Sequence, residues 1–261
     1  MEAKPKLRII KIGGNVIDDK VALRQFLSDF AALSGHKILV HGGGKLATQL
    51  SQKLGIAPQL VEGRRITSAD DLEIVTMVYA GWINKSVVAL LQSLGCSAIG
   101  LSGADGNSMQ AKRRSPEPID FGWVGDVEKV NAVFIQSLLE GGHCPVFCPI
   151  THDAQGHLLN TNADTIAAEL GIAMSAVYAV ELLYCFEKKG VLANVADENS
   201  VISFINPYQY AQLKSAGAIH QGMLPKMDNA FRALNLGVSK VKIGSASLIA
   251  APADTGTELT V

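Results

Sequence analysis

Apolar positions in this chain switch between two periods, and the switches fall at glycines. Leu7, Ile9, Ile10 and Ile12 make a short apolar run that stops at Gly13 and Gly14, as a buried strand does. From 21 to 33 the apolar residues recur every three or four positions, which predicts a helix ahead of Gly35. Residues 37–41 predict a second strand, Gly42, Gly43 and Gly44 end it, and 45–54 predict a second helix. Strand, glycines, helix thus occurs twice running, the rhythm of parallel strands joined by crossover helices.

Further along, Ser68 followed by Asp70 and Asp71 is a helix start, a hydroxyl cap with acids in the first turn. The helix predicted from there reaches Gly95, longer than most globular helices. Ile74, Met77, Val78, Ile83 and Val88 leave more than one of its sides apolar. Such a helix is buried within its own domain or packs on a partner subunit. Strands are predicted at 98–101, 145–148, 176–183 and 240–244, and helices at 131–139, 160–171, 207–216 and 225–236. Residues 103–126 are rich in Gly, Pro, Asp and Ser, with a β-ribbon expected at 121–125. The whole reads as α/β, without internal repeat or low-complexity linker. A boundary near 175 is expected to divide an N-terminal lobe, 1–175, from a C-terminal lobe, 176–261.

Composition narrows the class. Hydrophobic residues are 48% of the chain, charged residues 18%, and the net charge is −1. That is enough apolar material for a sizeable core and no field to hold nucleic acid or an anionic membrane. The one basic run, Lys112-Arg113-Arg114, is short and reads as a solvated turn. The four cysteines form no C-x-x-C pair and read as buried free thiols, and the histidines lack zinc spacing. No leader-like apolar segment precedes the first strand, and no run reaches the length of a membrane span. A cytoplasmic protein is therefore expected.

Glycines at strand ends let a ligand approach the backbone, and at a helix N-terminus their N–H groups bind anions. Gly13-Gly14 and Gly42-Gly43-Gly44 would lie on the same edge of a parallel sheet, where a polyphosphate fits between them. The P-loop pattern is absent, because Leu46 stands where Ser or Thr is required. Gly42, Gly44 and Ala47, with Glu62 beyond, do fit a dinucleotide pattern. A nicotinamide-dependent oxidoreductase is thus an alternative, although it leaves Lys11 unexplained.

Four segments, in this order, resemble the amino-acid kinase family: Lys11-Ile12-Gly13-Gly14, His41-Gly42-Gly43-Gly44, Asn160-Thr161-Asn162-Ala163-Asp164 and Gly222-Met223-Leu224-Pro225-Lys226. Gly63-Arg64-Arg65-Ile66-Thr67 resembles its acetylglutamate kinase branch. The resemblance implies a three-layer α/β/α sandwich with a mostly parallel central sheet. It implies phosphorylation of the side-chain carboxylate of an N-acyl-L-glutamate, N-acetyl-L-glutamate first, in arginine biosynthesis. ATP and Mg2+ are the implied cofactors, the ion held mainly by phosphate oxygens and water. Lys11 and Lys226 would flank the moving phosphoryl group, and Asp164 would hold both. Gly43, Gly44, Arg65, Asn160 and Asn162 would serve the acceptor, and Gly13, Gly14, Glu187, Gly190, Gly222 and Met223 the nucleotide.

The chemistry suits these residue types. Phosphoryl transfer needs alignment and charge neutralisation rather than covalent help. Lysine is a compact cation for that task, Arg65 offers a planar fork for a carboxylate, and an attacking carboxylate needs no base. Taken singly, the same residues have plain readings: Lys11 at a sheet edge, Lys226 in water, Asp164 and Asn162 as helix caps, Arg65 paired with Asp70 or Glu73.

The chain departs from the family where a Ser/Thr-Asp pair usually follows the strand near 183. It reads Tyr184-Cys185-Phe186-Glu187-Lys188-Lys189-Gly190, with Glu187 as the candidate in place of the missing acid and a longer turn. Ten residues precede Lys11, whereas arginine-inhibited members carry an additional N-terminal helix. The resemblance therefore implies a homodimer joined through the long helix, without arginine feedback. Arg113 and Arg114 lie in the region expected to receive the acyl group, which leaves succinyl open beside acetyl.

Overall fold

The computed structural model describes residues 3–61, 63–194, 196–217, 219, 223–250 and 256–261. In chain order, β1 (Lys6–Ile12) leads into a short helix α1 (Gly14–Asp18), α2 (Lys20–Ala32), β2 (His36–His41) and α3 (Gly44–Lys53). A hairpin of β3 (Gln59–Val61) and β4 (Arg64–Ile66) precedes the long helix. That helix begins as α4 (Ala69–Thr76), widens to the π form over Met77–Ile83, and continues as α5 (Asn84–Ser93). Next come β5 (Ala98–Leu101), β6 (Met109–Arg113), β7 (Gly125–Val130), α6 (Ala132–Glu140), β8 (Cys144–Phe147), β9 (Ile150–His152) and β10 (Leu158–Asn160). The remainder is α7 (Ala163–Met174), β11 (Ala179–Phe186), β12 (Phe204–Ile205), α8 (Pro207–Ser215), α9 (Leu224–Asn235), β13 (Lys240–Ser245) and β14 (Thr257–Leu259).

Among the described residues, eight strands form the central sheet in the order β12-β14-β13-β11-β1-β2-β8-β5. All its pairs are parallel except β13 with β14. Side chains alternate across it. Leu7, Ile9, Ile38 and Val40 enter a core shared with α6, α7 and α9, whereas Ile10, Ile12 and Leu39 enter a second core shared with α2 and the long helix. A sheet buried on both faces between helices is the expected α/β/α sandwich.

Three expectations change. The ribbon forms from β6 and β7 and includes only Gly125 of the expected 121–125, and Phe121–Val124 makes only isolated bridges from Gly122 and Val124. Gly122 there sits at φ 71°, and a Cβ on it would strike the Thr67 carbonyl oxygen at 2.2 Å. Helix α7 does not stop at Gly171 but runs through it, because the missing side chain leaves room for Val238 (3.1 Å from where a Cβ would sit). Strand β11 begins later and extends to Phe186, because Val177 and Tyr178 are tied by hydrogen bonds to Met174 at the end of α7.

The helix of 25 residues spanning Ala69–Ser93 is also long and apolar enough, by length and composition, to cross a membrane, contrary to expectation. The acids at its start, Asp70, Asp71 and Glu73, had masked that run. Val75, Val87 and Leu91 on it are fully buried in the second core.

Leu182 is fully buried at the centre of the sheet. Leu182→Ala is expected to cost ~2–5 kcal/mol of stability, read from the midpoint of urea unfolding at unchanged slope. Val133→Ala, on the exposed side of α6, should change it by less than about 0.5 kcal/mol. Equal effects at the two positions would mean that the sheet centre is not the core described.

Candidate active site

The period-two alternation of β1 puts Lys11 on the same face as Leu7 and Ile9, the face that α7 and α9 cover. Asp164 lies in the first turn of α7 and Lys226 in the first turn of α9. The three meet: Lys11 Nζ and Lys226 Nζ each stand 2.8 Å from the same oxygen, Asp164 Oδ1. Both lysines are buried, at 9% and 6% exposure. A buried cation is costly unless paired. Lys226 moreover occupies a helix N-terminus, whose dipole opposes a cation, so Asp164 is what permits it there.

Burial works against the Asp164 carboxylate, but the charges of Lys11 and Lys226 and their hydrogen bonds outweigh it and hold its pKa well below the usual carboxylate range. Asp164 therefore stays ionised. Burial pulls Lys226 down to about 8, only partly offset by Asp164. The Tyr184 ring lies beneath Lys226 Nζ, 4.9 Å from its centroid, and its hydroxyl donates to the Asp164 carbonyl (3.1 Å). Asp164 is therefore the lysine anchor rather than a helix cap. The capping falls to Asn162, whose side chain accepts from the N–H groups of Asp164 and Thr165.

A cavity of about 420 Å3 opens beside this triad, lined by Gly43, Gly44, Arg65, Asn160, Asn162 and Pro225 among others. The five acceptor-side residues expected from sequence therefore share one space. Arg65 is buried and pairs with Asp71 (3.3 Å), rather than with Asp70 or Glu73, and donates to Thr48 Oγ1 (2.7 Å) and the Gly44 carbonyl (3.4 Å). Asn160 donates to Thr67 Oγ1 (3.0 Å). Lys45, Arg64 and Arg114 add further positive charge to the wall, and Arg114 is forked onto Asp126. Such a lining suits a small dianion.

Gly43 has φ 152°, and a Cβ on it would lie 2.3 Å from Ile83 Cδ1 and 3.0 Å from Tyr79. Both neighbours belong to the π segment, a form that recurs at functional sites. Tyr79 also lines the cavity and was not legible, because the widened turn re-aims side chains without any signature in the sequence. Thr48, on α3, enters the site through its bond to Arg65, a tertiary contact that the sequence does not mark.

The nucleotide candidates are more dispersed. Gly13 donates its N–H to the Cys185 carbonyl (3.2 Å), and Gly14 opens α1. Glu187 follows directly on β11, and Met223 stands at the start of α9. Gly190 is packed on Thr257 and Val201 (2.8 and 2.7 Å from where a Cβ would sit). Thr257 accepts the Val191 N–H and donates to the Ile202 carbonyl, so it closes the sheet edge around that turn. Gly222, and Glu62 of the dinucleotide pattern, lie outside the described residues.

Residues 6–245 match the model of the amino acid kinase family. The acetylglutamate kinase of Cytophaga hutchinsonii is 58% identical over 239 residues, which are 91% of this chain and 90% of that protein. The acetylglutamate kinase of Bacteroides fragilis is 49% identical over 256 residues, 98% and 97% of the two chains. Among solved structures, smu.665 from Streptococcus mutans superimposes with a TM-score of 0.80 at 27% identity, covering 97% of this chain and 98% of that one. On the ordered motifs, the fold and these matches, the chain belongs to the amino acid kinase family.

Proposed function

We propose that this protein transfers the γ-phosphoryl group of ATP to the side-chain carboxylate of N-acetyl-L-glutamate, giving an acyl phosphate and ADP in arginine biosynthesis. The observation that carries the reading is the pair of ammonium groups on one carboxylate oxygen, with Ala163, Thr165 and Pro225, the chain neighbours of Asp164 and Lys226, lining a cationic cavity. The likeness to acetylglutamate kinases over nine-tenths of the chain supports it. A carboxylate oxygen of the acceptor attacks the γ-phosphorus while the bond to the bridging oxygen of ADP breaks. Charge spreads over the transferring group, and Lys11 and Lys226 neutralise it. Arg65 and Asn160 hold the α-carboxylate end of the acceptor, Asn162 keeps the α7 turn in place, and the Gly43 and Gly44 N–H groups offset the charge between the attacking oxygen and the phosphate.

Residues 1–175 form the acceptor lobe and 176–261 the ATP lobe in this reading, with Gly13, Gly14, Glu187, Gly190, Gly222 and Met223 on the nucleotide. Among the described residues no group of three metal-ligating side chains is present, and the Asp164 oxygen is committed to two lysines. Mg2+ would be held mainly by the nucleotide phosphates and water and would supply neutralising charge there. A second acceptor, N-succinyl-L-glutamate, is favoured by one feature: Arg114 lines the same cavity, and a further carboxylate would compete there with Asp126, which Arg114 already holds.

The protein is proposed to work in the cytoplasm as a homodimer. The long helix supports the dimer, because Met77 and Trp82 on it are 55% and 71% exposed, and tryptophan is enriched among the residues that carry binding energy at interfaces.

Hydroxamate trapping with ATP and Mg2+ is expected to give product with an N-acyl-L-glutamate and none with free glutamate. Comparing the acetyl and succinyl acceptors names the acyl group. Lys11→Ala and Lys226→Ala should each lower kcat at least about a hundredfold; a variant with unimpaired turnover would sink the assignment of that lysine. Because Lys226 must be charged and sits at about 8, kcat/KM should fall as pH rises through about 8, and Lys226→Arg should remove that limb while lowering the plateau. An unchanged alkaline limb in Lys226→Arg would assign it to another group. Trp82→Lys should yield a monomer by light scattering; a dimer of wild-type affinity would place the interface elsewhere.

A further inference from the structure

Beneath the triglycine loop lies a polar pair that the reaction above leaves unused. His41 and Asn84 are 0% and 1% exposed. The alternation of β2 turns His41 to the face opposite Ile38 and Val40, toward α5, where Asn84 is the first residue after the π segment. His41 Nδ1 stands 2.8 Å from the Gly42 carbonyl. A carbonyl only accepts, so the imidazole proton is on Nδ1 and Nε2 offers a lone pair. Asn84 Nδ2 meets that lone pair at 3.1 Å and gives its other proton to the Val146 carbonyl at 2.9 Å. Asn84 Oδ1 accepts from Lys85 Nζ at 3.1 Å. Burial pushes the imidazole down to about 4, so it is neutral under working conditions. Each polar atom of the pair is satisfied in one orientation only, which makes a rigid network.

The loop above has little freedom left. A trans peptide carries its C=O and N–H on opposite edges. Drawing the Gly42 carbonyl down onto His41 leaves the Gly43 N–H on the opposite edge of that peptide, and Gly43 lines the cavity. From the helix side, Ile83 and Tyr79 close on Gly43, so one stretch, 79–84, fixes both the loop and the histidine beneath it.

We propose that His41, itself held by Asn84, is a positioning residue of phosphoryl transfer: it fixes the Gly42–Gly43 peptide so that the Gly43 N–H faces the charge developing between the acceptor carboxylate and the γ-phosphate. The assignment rests on the function proposed above. Its contribution belongs to the transition state rather than to ground-state binding.

The test compares His41→Asn with His41→Gln in the full-length protein. The shorter amide reaches where Nδ1 stood and keeps the bond to Gly42; the longer one reaches toward Asn84 and loses it. Expected are a fall in kcat of about a hundredfold for His41→Gln with each KM within about threefold, and at least tenfold recovery in His41→Asn. Binding of ADP–Mg2+–aluminium fluoride, which mimics the transferring group, should weaken in step with kcat, whereas binding of ADP should not. Equal kcat in the two variants, or a loss confined to KM, would overturn the assignment. In the wild type, which needs no variant to fold, nitrogen NMR should show the Nδ1-protonated tautomer and a shifted Gly43 amide on binding the fluoride complex; the other tautomer or an unmoved amide also overturns it. A wild type that forms no hydroxamate brings down the proposed function, and this assignment with it; an active wild type with indifferent variants brings down this assignment alone.

Discussion

The site depends on one oxygen atom. Asp164 Oδ1 holds two ammonium groups at 2.8 Å each, and without it two buried like charges would repel across a medium that screens them poorly. The three residues come from β1, α7 and α9, elements far apart in sequence, so the ion triad also records that these elements have docked. Its geometry leaves both lysines with protons pointing elsewhere, which is what an incoming phosphoryl group requires. The anchor is thus structural and preparatory together: it stabilises the cations in the absence of ligand and aligns them for its arrival.

Much of this was legible from residue type and spacing. The glycines marked the ends of β1 and β2, and the parallel register placed both loops on one edge. The ordered motifs named Lys11, Asp164, Lys226, Arg65 and Asn160; the structure brings the first three together at one carboxylate oxygen and the last two into one cavity. The failures have physical causes. Strands β9, β10, β12 and β14 are two or three residues long, too short for periodicity to register. Gly171 looked like a stop because its packing partner, Val238, is distant in sequence. Asn162 and Asp164 both look like caps, and only the tertiary position of the two lysines assigns one to capping and the other to charge. The π segment has no compositional mark, so Tyr79 and its pressure on Gly43 could not be foreseen.

The departure near 184–190 gains a physical reading. Extending β11 to Phe186 puts Tyr184 opposite Lys11 and Cys185 opposite Ile12 in the parallel register. The tyrosine ring then serves as the floor for Lys226. Burial pushes the Cys185 thiol up to about 12, despite the neighbouring lysines, so it is an inert core residue beside the site. Glu187, the candidate in place of the missing acid, follows directly on the strand.

Strands β1 and β11 are hydrogen-bonded in register from Lys6 opposite Ala179 to Ile12 opposite Cys185. The two proposed lobes therefore meet across a hydrogen-bonded pair of strands within one sheet. Any movement of one lobe against the other would have to be absorbed as a change of sheet twist or as sliding of helices over its faces, a shear rather than a hinge. A shear of α9 over the sheet would carry Lys226 with it while Lys11 stayed fixed on β1. The distance between the two cations would then be the coordinate along which the machine runs.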